Sequence, residues 1–187
     1  MLSQEEREDL LRRARGAIAA ALDIAGPEGE LGPSGSARQA GAFVTLRDGK
    51  QLRGCIGYLD GDLRLVDVVQ RCAVSAAMSD PRFPPLDRVE FPAVEIEISV
   101  LGALEPVTDV RDIEVGRHGL VVALGRRQGL LLPQVATEWG WDRDTFLAQT
   151  CLKAGLAPDA WKTGARLLKF EAEVFKEREN SRDRSVP

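Results

Sequence analysis

Cysteine is scarce in this chain of 187 residues: Cys55, Cys72 and Cys151 are odd in number and far apart, and no CxxC occurs. That pattern argues against a disulfide framework and for reduced thiols in a cytoplasmic protein. Histidine is scarcer, with His118 alone, so a closed zinc site would need all three distant thiols and no metal site is assigned. Carboxylate-bound ions stay open. No apolar run is long enough to cross a bilayer, and the first residues, including Ser3, Glu5, Glu6 and Arg7, read as neither a signal peptide nor a span. An excess of positive charge is also missing. The net charge is -4 and the pI near 5.2, so the surface as a whole does not favour phosphate backbones. Neither GxGxxG after a strand nor GxxxxGKS/T appears, which leaves the cofactor unknown.

What remains is a globular composition, 44% hydrophobic and 29% charged, in a chain long enough for a core without staples. Length suggests one domain or two small lobes. Ser3 followed by Glu6 is a capping box, and Leu10, Leu11, Ala14, Ala17, Ile18, Ala21, Leu22 and Ala25 recur at helical spacing, predicting a helix over 3–25 that Gly26 and Pro27 stop. Residues 26–36, rich in Gly, Pro and Ser, read as an irregular exposed connection. The charged stretch 176–187 reads as a frayed tail.

Residues 41–47 and 50–58 are β-compatible, with Asp48 and Gly49 as a two-residue hairpin turn. That register sets Arg47 against Lys50, Phe43 against Gly54, and Ala42 against Cys55, so a small residue lies beside the thiol. Alternation places Arg53, Cys55 and Gly57 on one face, with Val44 and Leu46, and Leu52, Gly54, Ile56 and Tyr58 on the other. A lone buried cysteine is ordinarily a packing residue. Here, however, Gly54 and Gly57 flank it, and glycine inside a strand marks a bulge or a close approach. Arg53 is costly on a covered face unless paired or ligand-bound.

A second helix is expected over 62–78 with Asp62 as its cap, carrying Cys72 as a packing residue. The stiff connection Asp80, Pro81, Arg82, Phe83, Pro84, Pro85 follows and is able to hold Arg82 out. Residues 94–100 alternate without a break, and Glu95, Glu97 and Ser99 read as a solvated face. The second half repeats the order: strands near 118–124 and 128–133, helices near 134–139 and 142–154, and a strand over 168–175. Gly41, Val44, Leu46 and Leu52 match Gly119, Val122, Leu124 and Leu130 at one offset of 78. The expected fold is therefore α+β, antiparallel sheets with flanking helices in two lobes, with an internal duplication of a hairpin-helix-strand unit. Its halves are 41–101 and 118–175. Leu132 and Pro133 stand where the first half has Gly54 and Cys55.

GAFVTL followed by LRGCIG resembles the AMMECR domain family, and the match continues through SAAMSDPRFPPL, VEIEISVL, GRHGL, GLLLPQVATEWGW and FLAQTCLKAGLAPDAW, roughly residues 41–175. The chain looks most like the A component of the AmmeMemoRadiSam system. The resemblance implies a single AMMECR-type domain over 1–187, two lobes, and LRGCIG near a cleft. It also implies, as partners, a Memo-like protein and a radical S-adenosylmethionine protein. It carries no established reaction. Three readings follow: an enzyme with Cys55 as nucleophile and Arg53 orienting an anionic group; a non-catalytic adaptor or substrate-binding module; and, least supported, a nucleic-acid-linked regulator. Arg53, Gly54, Ile56, Gly57 and Arg82 are the candidate binding residues. His118, between Gly116 and Gly119, reads as a strand-edge residue, and Trp139, Trp141 and Trp161 as core or as anchors.

Overall fold

The computed structural model describes residues 1–26, 38–59 and 61–177. Most of the predicted 26–36 connection, and the predicted tail beyond residue 177, lie outside the described residues. The fold is α+β. Two compact units divide the chain, Met1–Val100 with Glu173–Pro187, and Leu101–Ala172.

In the first unit, helix α1 (Gln4–Ala21) starts at the expected capping box, with Ser3 and Glu6 satisfying each other's backbone N–H groups. It ends earlier than Gly26. Asp23 takes φ +53, Asp23 N–H donates to the Ala20 carbonyl and Ile24 N–H to the Ala19 carbonyl, a Schellman closure built on Asp where glycine is usual.

Strands β1 (Ala42–Asp48) and β2 (Gln51–Tyr58) form the hairpin, but its turn is Gly49 and Lys50, with Gly49 at φ +56. Asp48 pairs with Gln51 and Arg47 with Leu52; then the register slips, and Leu46 faces Gly54, Thr45 faces Cys55, Val44 faces Ile56 and Ala42 faces Tyr58. Arg53 is the extra residue of a β-bulge. The expected neighbours are corrected accordingly: Thr45, not Ala42, lies beside Cys55, and Val44 and Leu46 belong to the opposite face. Ala42, Val44 and Leu46 are fully buried there, against the helices.

Helix α2 (Leu65–Met78) begins three residues later than expected and without a side-chain cap, so Asp62 is not its cap. Its first N–H donates instead to the Arg38 carbonyl. Strand β3 (Val94–Leu101) flanks β1 on the side away from β2, making β2 an edge strand. Ser99 is buried rather than solvated. Glu177 is also held, its N–H on the Ile96 carbonyl and its carboxylate on Arg15.

The second unit contains β4 (Glu105–Pro106), β5 (His118–Leu124), β6 (Arg127–Leu131), α3 (Pro133–Glu138) and α4 (Arg143–Lys153), and most of β7 (Arg166–Lys176). β5 lies between β6 and β7, as β1 lies between β2 and β3, and β4 pairs with β7 on its other side. A separate core fills this unit, including Ile113, Leu120, Val122, Phe146, Leu147 and Cys151. Trp141 and Trp161 pack against that core; Trp139 is 70% exposed and stacks on Trp141, so it is not a core residue.

Both hairpins carry a glycine that a helix backbone overlies. A Cβ on Gly54 would lie 2.2 Å from the Ala76 carbonyl oxygen, and one on Gly129 would lie 2.4 Å from the Ala154 nitrogen. Gly129 therefore holds the place in the second hairpin that the offset of 78 gave to Leu132. Leu132 and Pro133 lie past the strand, at the start of α3.

Candidate functional site

The site begins with the exposed edge of β2. Edge strands leave every second residue with unpaired N–H and C=O groups. At Cys55 these groups are taken by side chains: the N–H donates to Asp80 Oδ2 at 2.9 Å, and the carbonyl accepts from Arg82 Nη2 at 3.3 Å. Asp80 and Arg82 are bound to each other in turn, Nη2 to Oδ2 at 2.7 Å and Nε to Oδ1 at 2.9 Å. The pair imitates a neighbouring strand at one residue.

Asp80 is buried, and the Arg82 hydrogen bond with the two backbone N–H groups holds its carboxyl well below the usual carboxylate range. The prolines after Asp80 keep this connection from continuing α2, and Leu86 N–H ties it back to the Ala77 carbonyl. Arg82 is thus folded onto Cys55 rather than held away, yet its side chain stays 47% exposed. It is the cation at the site that an external anion can reach.

On the other side, Thr45 Oγ1 lies 3.3 Å from Cys55 Sγ. Thr45 pairs across β1 with both Cys55 and Glu97, so Cys55, Thr45 and Glu97 form one row on the face opposite α2. Cys55 is partly exposed, whereas Cys72 and Cys151 are buried. Burial pushes the Cys72 thiol up to about 11 and raises that of Cys151.

Arg53, aimed by its bulge, pairs with Glu90: Nε to Oε1 at 3.0 Å and Nη2 to Oε2 at 2.8 Å. That hydrogen bond lowers the Glu90 carboxyl and raises the Arg53 guanidinium. The third nitrogen, Nη1, is buried and finds no acceptor among the described residues. Phe83 joins the two cations, its ring centroid 5.9 Å from Arg53 Cζ and 5.4 Å from Arg82 Cζ.

Of the predicted residues, the structure gathers Arg53, Cys55 and Arg82. Gly54 and Ile56 face the helix side, and Gly57 lies under the Phe43 ring, 2.1 Å from where its Cβ would be; close packing accounts for all three. Thr45, Asp80, Phe83 and Glu90 were not singled out. Only Asp80 had a usable signal, a carboxylate two residues before an arginine in a proline-fixed loop. His118 lies in the second unit, its Nδ1 accepting from Glu114 N–H. Among the described residues no group of three His, Cys, Asp or Glu side chains is placed to hold a metal ion, and no helix is long and apolar enough to cross a membrane.

A family model described as AMMECR1 matches residues 11–175. Protein MK0488 of Methanopyrus kandleri is 46% identical over 189 residues, covering 95% of this chain and 91% of its own. A protein of Methanothermobacter thermautotrophicus is 43% identical over 187 residues, covering 94% and 96%. The crystal structure of uncharacterized protein PH0010 from Pyrococcus horikoshii superposes with a TM-score of 0.87 at 41% identity, over 94% of this chain and 93% of that one.

Proposed function

Since this chain belongs to the AMMECR1 family, we propose that it is an enzyme acting on a small molecule or protein that bears an anionic group, with Cys55 as its nucleophile. The Cys55 edge of β2 carries the reading. Two separate segments converge on the partly exposed thiol of β2, through Asp80 and Arg82 on its backbone and Thr45 on its sulfur, in an arrangement the hydrophobic core does not require. Arg82 receives the anionic group, and Asp80 fixes Arg82. Arg53, held by Glu90, adds positive charge beside the same site. The companions proposed for the pathway are a Memo-like protein and a radical S-adenosylmethionine protein, and the proposed compartment is the cytoplasm.

A recognition module is the second reading, favoured by one observation: both guanidiniums are already bound to internal carboxylates, which makes a rigid surface before any ligand arrives. One experiment separates the two. Metabolites are profiled in a strain lacking this protein, complemented with wild type, Cys55→Ser or Arg82→Ala. The enzyme reading expects the accumulating compound to persist with both variants while binding to the two pathway proteins is retained. Full complementation by Cys55→Ser, with failure of Arg82→Ala and lost binding, replaces the enzyme by the adaptor.

A further inference from the structure

A polar cavity lies wholly within the second unit, and Cys55 has no part in it. Gly102, Ala103, Glu105, His118, Lys169, Phe170 and Glu171 line about 170 Å³.

The register explains why these groups meet. Lys169 pairs with Glu105 on β4 and with Leu120 on β5, and Glu171 pairs with His118, so four polar side chains share one face of β4, β7 and β5. On the same face the apolar core resumes at Leu120 and Val122. Gly102 N–H is tied to the Glu171 carbonyl, and a Cβ on Gly102 would crowd that oxygen at 3.1 Å. Phe170 and Gly119 pair with their side-chain positions on the opposite face, where a Cβ on Gly119 would lie 2.2 Å from the Phe170 Cζ.

His118 is only 6% exposed. Because Glu114 N–H donates to Nδ1 at 3.0 Å, the neutral ring carries its proton on Nε2, and no partner takes that N–H among the described residues. A buried, oriented donor is left for the cavity it lines. Lys169 Nζ donates to the Asp112 carbonyl at 3.4 Å but pairs with no carboxylate, and Glu105 pairs with no cation among the described residues. Glu171, by contrast, is engaged by Arg117 at 2.8 Å.

We infer that this cavity binds a compact amino carboxylate, its carboxylate on Lys169 and His118 Nε2–H and its ammonium on Glu105. A simple anion leaves Glu105 uncompensated, and a simple amine meets Lys169. A small zwitterion answers both charges.

The only histidine makes the test direct. The imidazole resonances of His118 are followed by NMR while the full chain is titrated with L-alanine, and separately with acetate and with propylamine. L-alanine is expected to move the Nε2–H signal saturably with a Kd of about 1 mM or tighter, each single-charge probe binding about tenfold more weakly. Lys169→Met should weaken L-alanine about tenfold, and Glu105→Gln should remove the preference over acetate while the spectrum stays folded. No saturable shift with glycine, L-alanine or L-serine up to about 50 mM, or acetate binding as tightly as L-alanine, overturns the inference.

Discussion

Asp80 decides most at the scale of single residues. It is a buried carboxylate that joins the Cys55 backbone to Arg82, and truncating a hydrogen bond to a charged group costs about 2–3 kcal/mol. Asp80→Asn should lose roughly that in urea unfolding at pH 7. The folded carboxyl lies below its unfolded value of about 3.9, so the contribution is complete above that pH and fades as pH falls below it toward the folded value. The gap between wild type and Asp80→Asn should therefore stay constant from about pH 5 to 8 and shrink below about pH 4. A gap that widens on acidification would show that the Asp80 carboxylate does not stabilise the fold. Ser3→Ala is a smaller case, expected to cost about 1 kcal/mol through loss of the α1 cap.

Among elements, the first hairpin shows how much the sequence made legible and where it stopped. Both strands and the glycine in the turn were readable from alternation and turn chemistry. The faces of β1 were not. Moving the turn on by one residue shifts the pairing by two and leaves every side chain on its face; the extra residue at Arg53 shifts it by one more and exchanges them. No propensity marks such a bulge, because Arg53 is fixed by Glu90 and Phe83, far along the chain. The offset of 78 failed at Gly129 for a similar reason: the second turn, Gly125 and Arg126, comes two positions early at that offset, and β6 lacks the extra residue. Gly54→Ala and Gly129→Ala each push a methyl into helix backbone, and each should cost about 2–3 kcal/mol, lowering Tm by roughly 5–10 °C. A change within about 1 °C in differential scanning would mean the helices do not press on these glycines.

For the whole molecule, charge and family membership set the limits. With a net charge of -4 and adjacent arginines only at Arg12–Arg13 and Arg126–Arg127, the chain should bind duplex DNA more weakly than about 100 μM at physiological salt by fluorescence anisotropy. Tighter, salt-sensitive binding would revive the regulatory reading. The AMMECR1 family, the α+β class and the two compact units were legible from motif order, because LRGCIG and SDPRFPPL are distinctive as strings. What those strings do for each other was not legible: SDPRFPPL exists here to close the edge of LRGCIG at Cys55, a contact between residues 25 and 27 positions apart.

That closure is the basis for treating Cys55 as the reactive centre, and site-resolved alkylation tests it most directly. Native protein is treated with iodoacetamide at about pH 8, and the three cysteines are quantified by mass spectrometry over time. Cys72, with its thiol near 11, is only about 0.1% thiolate there, and Cys151 is fully buried. Cys55 should label about 100-fold faster than either, with all three labelling alike once the chain is unfolded. Equally slow labelling of all three in the native protein would contradict a reactive Cys55.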